Sequence, residues 1–424
     1  MNITPTPLPR IAHFESLGYG LFLHWGLYSQ LGQGEWIQKH NEIPLDDYRR
    51  LQQTFTAQDF DADAWCRLAL DAGMKYLCLT TRHHEGFSLY DTRGLNTYDA
   101  PHSPAQRDLV AEFIDACDRH GLLPMLYHTT LDWQWRNKKT YDLDQAEMDD
   151  YLDYLNDSVE ILCSQYGKIG GLWFDGNWSR RDLDWKVDAL YAVIRKHQPE
   201  AIIVNNTGLK NRGVVGHPEI DSVTYEQGAP EPRDQRSKQK YVAGEMCLTL
   251  NQHWGVGFHD LHYKSPADVI RMLAKCRRAG ANLLLNVGPT AQGGIPEYEA
   301  ACLRRAGDWV RSVGEPLHIG RPVPEVKCPG DDFLLRTPDG SDHYFAFGLA
   351  REGDSHVTLD GGGVGPRSLL AYDRPVGRIA WLDADDPPLD FTQNLDAGLL
   401  TFHATGYPYG TDRVVRVARI ASTP

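Results

Sequence analysis

Two carboxylates, each placed directly after a short apolar run, have the residue types and positions that best suit acid–base chemistry. Asp175 lies in the segment LWFDGNW, and Glu226 lies in SVTYEQG. Each also has an ordinary interpretation, because Asp-Gly pairs are typical of turns and caps and a lone Glu is usually a solvated surface residue. Trp173 and Trp178 flank Asp175 and offer aromatic faces on which a sugar ring could pack. As a pair, the two carboxylates could supply what hydrolysis of a glycosidic bond requires.

Other polar residues also follow apolar runs, so Asp175 and Glu226 belong to a larger set. The set comprises His24-Trp25-Gly26, His83-His84-Glu85, His128, Asp175-Gly176, Asn205-Asn206, Glu226-Gln227 and Asn286. A buried ionisable group must be hydrogen-bonded, or it destabilises the fold by several kcal/mol. Core packing therefore explains the whole set poorly, and the repetition indicates one shared site.

The adjacent histidines His83 and His84 raise the question of a metal. Neighbouring strand residues point to opposite faces, so both can face one site only where the strand ends and turns. Barrel metallohydrolases usually carry an alternating His-x-His pair, which this sequence lacks. Neutral imidazole both donates and accepts hydrogen bonds, which favours recognition of sugar hydroxyls. We also find no phosphate-binding glycine loop, no Gly-x-Ser-x-Gly elbow and no Cys–His nucleophile pattern, so we expect neither a metal nor a cofactor.

Short apolar runs alternate with helix-patterned stretches over most of the chain. The predicted strands are Gly18–His24, Tyr76–His83, Leu123–Thr129, Gly171–Asp175, Ala201–Asn205, Ser222–Glu226, Val242–Thr249 and Asn282–Val287. The predicted helices are Asp63–Ala72, Gln106–His120, Glu147–Tyr166, Asp184–His197, Pro266–Arg278 and Glu297–Val313. Asp61 and Ser265 are candidate N-caps, and Gly73, Gly121 and Gly280 follow three of the helices. The pattern predicts an α/β fold with a (β/α)₈-like TIM barrel, whose active residues lie at the carboxyl ends of the strands.

The pattern changes after about residue 318. Short alternating segments separated by Gly, Pro and Asp follow, at Phe333–Arg336, His343–Phe347, His356–Leu359 and Val414–Ile420. They predict a C-terminal antiparallel β-sandwich. We therefore divide the chain into a catalytic barrel over residues 1–317 and a β-sandwich domain over 318–424.

Composition restricts the class of partner. The 424 residues carry a formal net charge of −14, which argues against nucleic acid because phosphate binding needs a basic face. There is no apolar run of membrane-spanning length, and the N-terminal segment has no signal-peptide pattern. The eight cysteines occur singly within apolar segments, which favours free thiols in a reducing compartment. We expect a cytoplasmic protein that has no membrane partner and could form a homo-oligomer.

Six segments in family order resemble the retaining α-L-fucosidases of glycoside hydrolase family 29. They are GLFLHWGLYSQLGQGEW, FDADAWCRLALDAGMKYLCLTTRHHEGFSLYDT, LDW, GGLWFDGNW, GEMCLTLNQHWGV and NLLLNVGPTAQGGIP, spread over roughly residues 15 to 315. The resemblance implies a barrel enzyme with a C-terminal β-domain. It implies that the chain removes terminal α-L-fucosyl residues from glycans or glycosides by double displacement.

The resemblance also assigns residues. Asp175 matches the family nucleophile, and Glu226 is the expected acid/base, with Glu245 as its competitor. The expected sugar-binding residues are His24, Glu35, Trp36, His83, His84, His128, Trp173, Glu245 and Trp254. Trp254 falls on an aromatic position that lines the methyl group of the sugar.

One departure concerns the fifth strand, where relatives often have Asn-Asp-Arg and this chain has Asn205-Asn206-Thr207. Arg212 or Arg233 could replace the missing arginine. The alternatives to an α-L-fucosidase are an α-L-galactosidase or transfucosylase on the same barrel, and a catalytically silent sugar-binding protein.

Overall fold

Eight parallel strands close into a barrel in the computed structural model, which describes residues 4–349, 364–407, 411 and 414–422. The strands are β1 Tyr19–Leu23, β2 Tyr76–Arg82, β3 Leu123–Thr129, β4 Gly171–Asp175, β5 Ile202–Asn205, β6 Ser222–Glu226, β7 Ala243–Thr249 and β8 Asn282–Val287. Each strand pairs with the next along the chain, and β8 pairs back with β1. The predicted barrel is confirmed.

The strand bounds agree closely with the sequence-based prediction. β3, β4, β6 and β8 begin and end at the predicted residues, and the other four are shorter by one or two residues. β2 ends at Arg82, so His83 and His84 both lie beyond the strand in the following loop. Both rings are therefore free of strand alternation and can face the same side.

Helices surround the barrel. They are α1 Pro9–Leu17, α2 Ile37–His40, α3 Leu45–Arg49, α4 Ala62–Asp71, α5 Leu109–His120, α6 Gln145–Ser164, α7 Val187–His197, α8 Pro266–Arg278, α9 Glu297–Val313 and α10 Pro316–Ile319. Residues 206–221 and 227–242, all of them described, connect β5 to β6 and β6 to β7 without a helix. The rim of the barrel near Glu226 is therefore built from irregular loops.

Side-chain caps fix where several helices begin. The predicted caps are confirmed, since the side chains of Asp61 and Ser265 accept hydrogen bonds from backbone N–H groups in the first turn of α4 and α8. Two predicted starts were wrong because other caps were overlooked. Asp108 caps α5, which starts at Leu109 rather than Gln106, and Asp144 forms a capping box that starts α6 at Gln145.

Alternate strand residues fill the barrel interior. The inward set includes Phe22, Tyr76, Cys78, Met125, Tyr127, Trp173, Val204, Cys247 and Leu284, all of them buried. Gly20 makes room for one of the largest, because a Cβ there would lie 2.5 Å from the Tyr76 ring. The polar site is consequently confined to the carboxyl end of the barrel, above an aromatic floor.

Two antiparallel sheets follow the barrel and confirm the predicted C-terminal β-domain. Their strands are β9 Arg321–Pro322, β10 Phe333–Arg336, β11 Asp342–Phe347, β12 Gly365–Leu370, β13 Val376–Trp381, β14 Phe391–Asn394, β15 Leu399–Ala404 and β16 Val415–Ser422. The sheet orders are β13-β16-β11-β10-β9 and β12-β15-β14. Tyr344, Leu369, Ile379 and Phe402 are among the residues of the core between the sheets. The predicted strand His356–Leu359 lies outside the described residues.

The β-domain packs against the barrel helices. Phe333, Phe345 and Val415 join the barrel's own hydrophobic core, and the Trp309 indole on α9 donates to the Val415 carbonyl over 2.6 Å. The division at residues 317 and 318 stays a prediction, and it falls within α10. Across the described residues, every helix is too short or too polar to cross a membrane.

Candidate active site

Asp175 ends β4 and accepts hydrogen bonds from three side chains. The Trp178 indole N–H and the Asn206 amide donate to Oδ1 over 2.7 and 3.0 Å, and the Tyr127 hydroxyl donates to Oδ2 over 3.2 Å. Burial raises the pKa of Asp175 above its usual value, while hydrogen bonds from Trp178, Asn206 and Tyr127 oppose that rise. The carboxylate is thus fixed in orientation and supplied with donors for its ionised form.

Glu226 ends β6 on the same rim of the barrel. Its Oε2 accepts a hydrogen bond from the Asn206 amide over 2.9 Å. Burial, and then the charge of Asp175, raise the pKa of Glu226 to about 7, against the opposing influence of Asn206 and Arg212. The two carboxylates therefore differ as an acid and a nucleophile must differ, since Glu226 retains its proton to a higher pH.

A single atom, Nδ2 of Asn206, joins the two carboxylates. Its bonds of 3.0 Å to Asp175 and 2.9 Å to Glu226 keep the bonded oxygens no more than about 6 Å apart. Retaining glycosidases place their carboxyl groups about 5–5.5 Å apart, whereas inverting enzymes need about 6.5–9.5 Å. Sequence reasoning placed Asn206 at a strand end without assigning it a role, and the arrangement favours retention.

Three histidines line the space beside Asp175. Nε2 of His84 lies 3.5 Å from Asp175 Oδ2, and the rings of His83 and His84 are 4.2 Å apart. Burial lowers the pKa of His24 and of His84 to about 3, and that of His83 well below its usual value. All three rings are therefore neutral near pH 7. Nδ1 of His24 donates to Asn286 Oδ1 over 2.6 Å, which leaves Nε2 as an acceptor.

Two loops meet at Glu35. Its Oε2 accepts hydrogen bonds from the backbone N–H groups of Trp254 and Gly255 over 3.0 and 2.9 Å. The Trp254 ring lies 5.0 Å from the His24 ring. Glu35 thereby fixes the loop after β7 against the loop after β1 and brings Trp254 to the site.

Trp36 forms an aromatic wall of the site together with Trp133 and Trp178. Its ring lies 5.5 Å from His84, 5.2 Å from Trp133 and 6.3 Å from Trp178, to which it is roughly parallel. The sequence suggested Trp178 as an aromatic face for a sugar, whereas Trp133 was not predicted as a site residue although it lies in the LDW motif. The wall gives the site an apolar surface beside its hydrogen-bonding groups.

The structure does not bring His128 to this site. Its Nδ1 lies 2.9 Å from the Thr81 hydroxyl, and its ring faces Tyr90 on the outer side of the barrel. Because strand side chains alternate, the neighbouring Tyr127 points inward and its hydroxyl reaches Asp175. The prediction that His128 binds the sugar was therefore wrong, because Tyr127 and not His128 lies on the inward face of β3.

Trp173 and Glu245 lie one layer below Asp175. The Trp173 indole donates to Glu245 Oε1 over 2.9 Å, and the Tyr76 hydroxyl donates to Oε2 over 2.5 Å. Burial raises the pKa of Glu245 to about 7, the same value as for Glu226, so the pKa does not distinguish the two glutamates. Their positions distinguish them, because Glu245 is fully buried and both of its carboxylate oxygens already accept hydrogen bonds. The predicted substrate-binding and acid/base roles of Glu245 do not fit this placement, and Trp173 forms part of the floor.

Of the two arginines that could replace the missing family arginine, only Arg212 contacts Glu226. Its Nε donates to the Glu226 carbonyl over 2.5 Å, and its charge opposes the rise in the Glu226 pKa. Arg233 instead donates to the Gly213 carbonyl over 2.6 Å. Among the described residues, no group of three or more His, Cys, Asp or Glu side chains has the arrangement of a metal site.

Comparison with known proteins gives one consistent result. The family model described as alpha-L-fucosidase matches residues 6–315. Bovine tissue alpha-L-fucosidase is 27% identical over 353 residues, covering 76% of this chain and 71% of the bovine protein. The structure of alpha-L-fucosidase isoenzyme 1 from Paenibacillus thiaminolyticus is 30% identical, with a TM-score of 0.80 over 98% of this chain and 99% of that one. A family 29 alpha-L-fucosidase from Bacteroides thetaiotaomicron, 20% identical, has the same fold with a TM-score of 0.81 over 100% and 97%.

Proposed function

The chain belongs to the α-L-fucosidase family, glycoside hydrolase family 29, and on that premise we propose that Asp175 and Glu226 cleave terminal α-L-fucosyl residues by double displacement. The observation that carries the proposal is the bridge through Asn206, which keeps one oxygen of each carboxylate within about 6 Å of the other and so favours the closer spacing of a retaining enzyme. A crystal structure of a family 29 α-L-fucosidase from Bacteroides thetaiotaomicron holds a trapped covalent intermediate, in complex with 2-fluoro-fucosyl fluoride. That structure supports the same mechanism here.

In the first step, ionised Asp175 attacks the anomeric carbon while Glu226 gives its proton to the departing glycosidic oxygen. A covalent fucosyl-enzyme forms, the aglycone leaves as an alcohol, and Glu226 becomes ionised. In the second step, Glu226 takes a proton from water, which attacks the anomeric carbon and releases Asp175. Two inversions at the same carbon leave α-L-fucose as the product.

The surroundings of the two carboxylates support Glu226 as the acid and Asp175 as the nucleophile. The raised pKa of Glu226, about 7, leaves a large fraction of it protonated near neutral pH, as a general acid requires. Asp175 receives hydrogen bonds from Trp178, Asn206 and Tyr127, which stabilise its negative charge. The site thus prepares one proton donor and one nucleophile before substrate arrives.

The histidines and the aromatic side chains suit the two faces of a fucosyl ring. Neutral His24 presents Nε2 as an acceptor for a ring hydroxyl, whereas neutral His83 and His84 can donate or accept, and such bonds strengthen as charge develops at the anomeric centre. Trp254 and Trp36 would cover apolar surface, with Trp254 against the C6 methyl group. A hydroxymethyl sugar adds only one hydroxyl, and an apolar pocket rejects such an analogue weakly.

The stereochemistry of the first-formed product tests the proposal. Hydrolysis of an aryl α-L-fucoside followed by proton NMR should show the α anomer first, with the β anomer growing only as the sugar mutarotates. The corresponding α-L-galactoside should be cleaved about 10–200-fold less efficiently, because the methyl pocket discriminates by only about 1–3 kcal/mol. Initial β-L-fucose would exclude double displacement. Preference for the galactoside, or binding of fucose without turnover, would favour the alternative functions.

We also propose that the protein works in a reducing, cytoplasmic compartment. All eight cysteines are free thiols, and the Sγ atoms of Cys66 and Cys117 stay unbonded 4.0 Å apart. Buried free thiols are typical of such compartments. Assembly into a homo-oligomer stays a prediction.

A further inference from the structure

We propose that Asn206 is a positioning residue for both steps of the reaction, because its amide group sets the distance between Asp175 and Glu226 and directs a donor at each. The inference rests on the roles proposed above for the two carboxylates. It assigns a function to a side chain that touches both reacting groups and has no charge of its own.

The hydrogen bonds of Asn206 determine which way its amide points. Oδ1 accepts from the Thr224 hydroxyl over 2.9 Å and from the Gly208 backbone N–H over 3.1 Å. Nδ2 therefore faces the two carboxylates, and each of its hydrogens has one partner. In the reversed orientation the Oδ1 atom would face the two carboxylates, and the NH₂ group would face the Thr224 hydroxyl and the Gly208 N–H, which are themselves donors. The side chain is buried, 4% exposed, so its bonding is complete within the protein.

Such a bridge has two consequences for catalysis. The planar NH₂ group holds the two bonded oxygens at a nearly constant separation, so the nucleophile and the acid stay in register with the substrate. Each N–H also stabilises the ionised form of the carboxylate that it contacts, which lowers the pKa of both groups. Asn206 thus offsets part of the rise that burial produces, and does so without adding a charge between the two carboxylates.

Other groups face the carboxylates from every neighbouring element. On Asp175 they are the Trp178 indole, the Tyr127 hydroxyl, the Gly176 backbone N–H and the neutral His84 ring, and on Glu226 they are Arg212, Glu35 and Asp175 itself. The Cys247 thiol on β7 lies near both, since burial and then the charges of nearby carboxylates, Glu226 and Asp175 among them, raise its pKa. Among the groups for which the structure gives a hydrogen bond, Asn206 alone donates to both side chains. Its removal should accordingly move two titrations in the same direction, which loss of any single-sided contact would not do.

The pH dependence of kcat/KM tests this inference. In the wild-type enzyme, activity should rise as Asp175 ionises and fall near pH 7, where Glu226 loses the proton that it must donate. Asn206→Ala removes a donor that favours both ionised forms, so both limbs should move to higher pH by about one unit. kcat/KM at the optimum should fall about 10²-fold because the carboxylates lose their common support. Asn206→Asp, of equal size, should move the basic limb further because it adds a third negative charge.

Asn205→Ala is the matched control. Asn205 is the preceding residue, but its amide donates to Asn177 and Tyr191 and contacts neither carboxylate. Its pH profile should match the wild type. Where Asn206→Ala does not fold, Thr224→Val decides, since it removes the hydroxyl that orients Asn206 and should shift the basic limb upward by a smaller amount.

Each outcome distinguishes the inference from the proposed function. If the wild type releases α-L-fucose first, and the acidic and basic limbs of the kcat/KM pH profile do not move in folded Asn206→Ala, the positioning role is overturned. The double displacement then still stands. An unmoved basic limb in folded Thr224→Val, or an equal shift in Asn205→Ala, also overturns it. An inverted wild-type product would instead defeat the proposed function itself.

Discussion

Replacing Asp175 with alanine should lower the turnover of an aryl α-L-fucoside by at least about 10³-fold, because the reaction loses its nucleophile. The effect should appear in kcat more than in KM. The lost carboxylate also accepts hydrogen bonds from Trp178, Asn206 and Tyr127, so the variant leaves these donors without their partner. Circular dichroism and a melting curve will show whether the barrel remains folded.

Added azide separates loss of the nucleophile from general damage. The small anion can occupy the space that alanine leaves and attack the anomeric carbon from the same side as Asp175, giving β-L-fucosyl azide. A suitable control is Asp182→Ala, which removes an exposed carboxylate from the same loop, where Asp182 pairs with Arg180. Its turnover should stay close to wild type. Near-normal activity of Asp175→Ala, or failure of azide to restore any turnover in the folded variant, would contradict the assignment.

Replacing Glu226 with glutamine should produce a loss that depends on the leaving group. A substrate with a poor leaving group needs protonation of the glycosidic oxygen, so its kcat/KM should fall by about 10²–10⁴-fold. The nitrophenolate of an activated nitrophenyl fucoside can leave without that proton, so the first step with this substrate should be far less affected. A plot of log(kcat/KM) against leaving-group pKa should therefore become steeper in the variant.

Glu245→Gln is the matched comparison, because burial raises the pKa of both glutamates to about 7. Glu245 accepts from Tyr76 and Trp173 beneath the site, so its substitution should lower stability by about 1–3 kcal/mol. The dependence on the leaving group should match the wild type. If Glu245→Gln gave the steeper plot and Glu226→Gln did not, the acid/base would be Glu245 and the placement argument would fail.

Much of this fold could be predicted from the sequence because parallel barrel strands have a simple signature. Continuous apolar runs such as those of β3 and β8 are buried on both faces, and turn or cap residues end them sharply. The polar residues that follow then fall on one rim of the barrel. For the same reason, Asp175 and Glu226 could be paired across 50 residues of intervening sequence without knowledge of any contact.

The features that the sequence did not predict depend on which way each side chain points and on which strands come together when the barrel closes. The choice between Tyr127 and His128 needs the phase of alternation in β3, which a run of buried residues does not reveal. The depth of Glu245 follows from its neighbours Tyr76 and Trp173, which lie on other strands. The bridge made by Asn206 depends on three strand ends that come together only when the barrel closes.

The central claim is that Asp175 becomes covalently bonded to the sugar during turnover. Incubation with a 2-deoxy-2-fluoro-fucosyl fluoride should trap that bond. The fluorine at C2 slows both steps by destabilising the positively charged transition state, whereas the good leaving group speeds only the first, so the fucosyl-enzyme accumulates. Proteolysis and tandem mass spectrometry should then place one fluorofucosyl group on Asp175, within the segment LWFDGNW. A label on any other residue would contradict the account, and so would fluoride release with no labelled protein together with an inverted product.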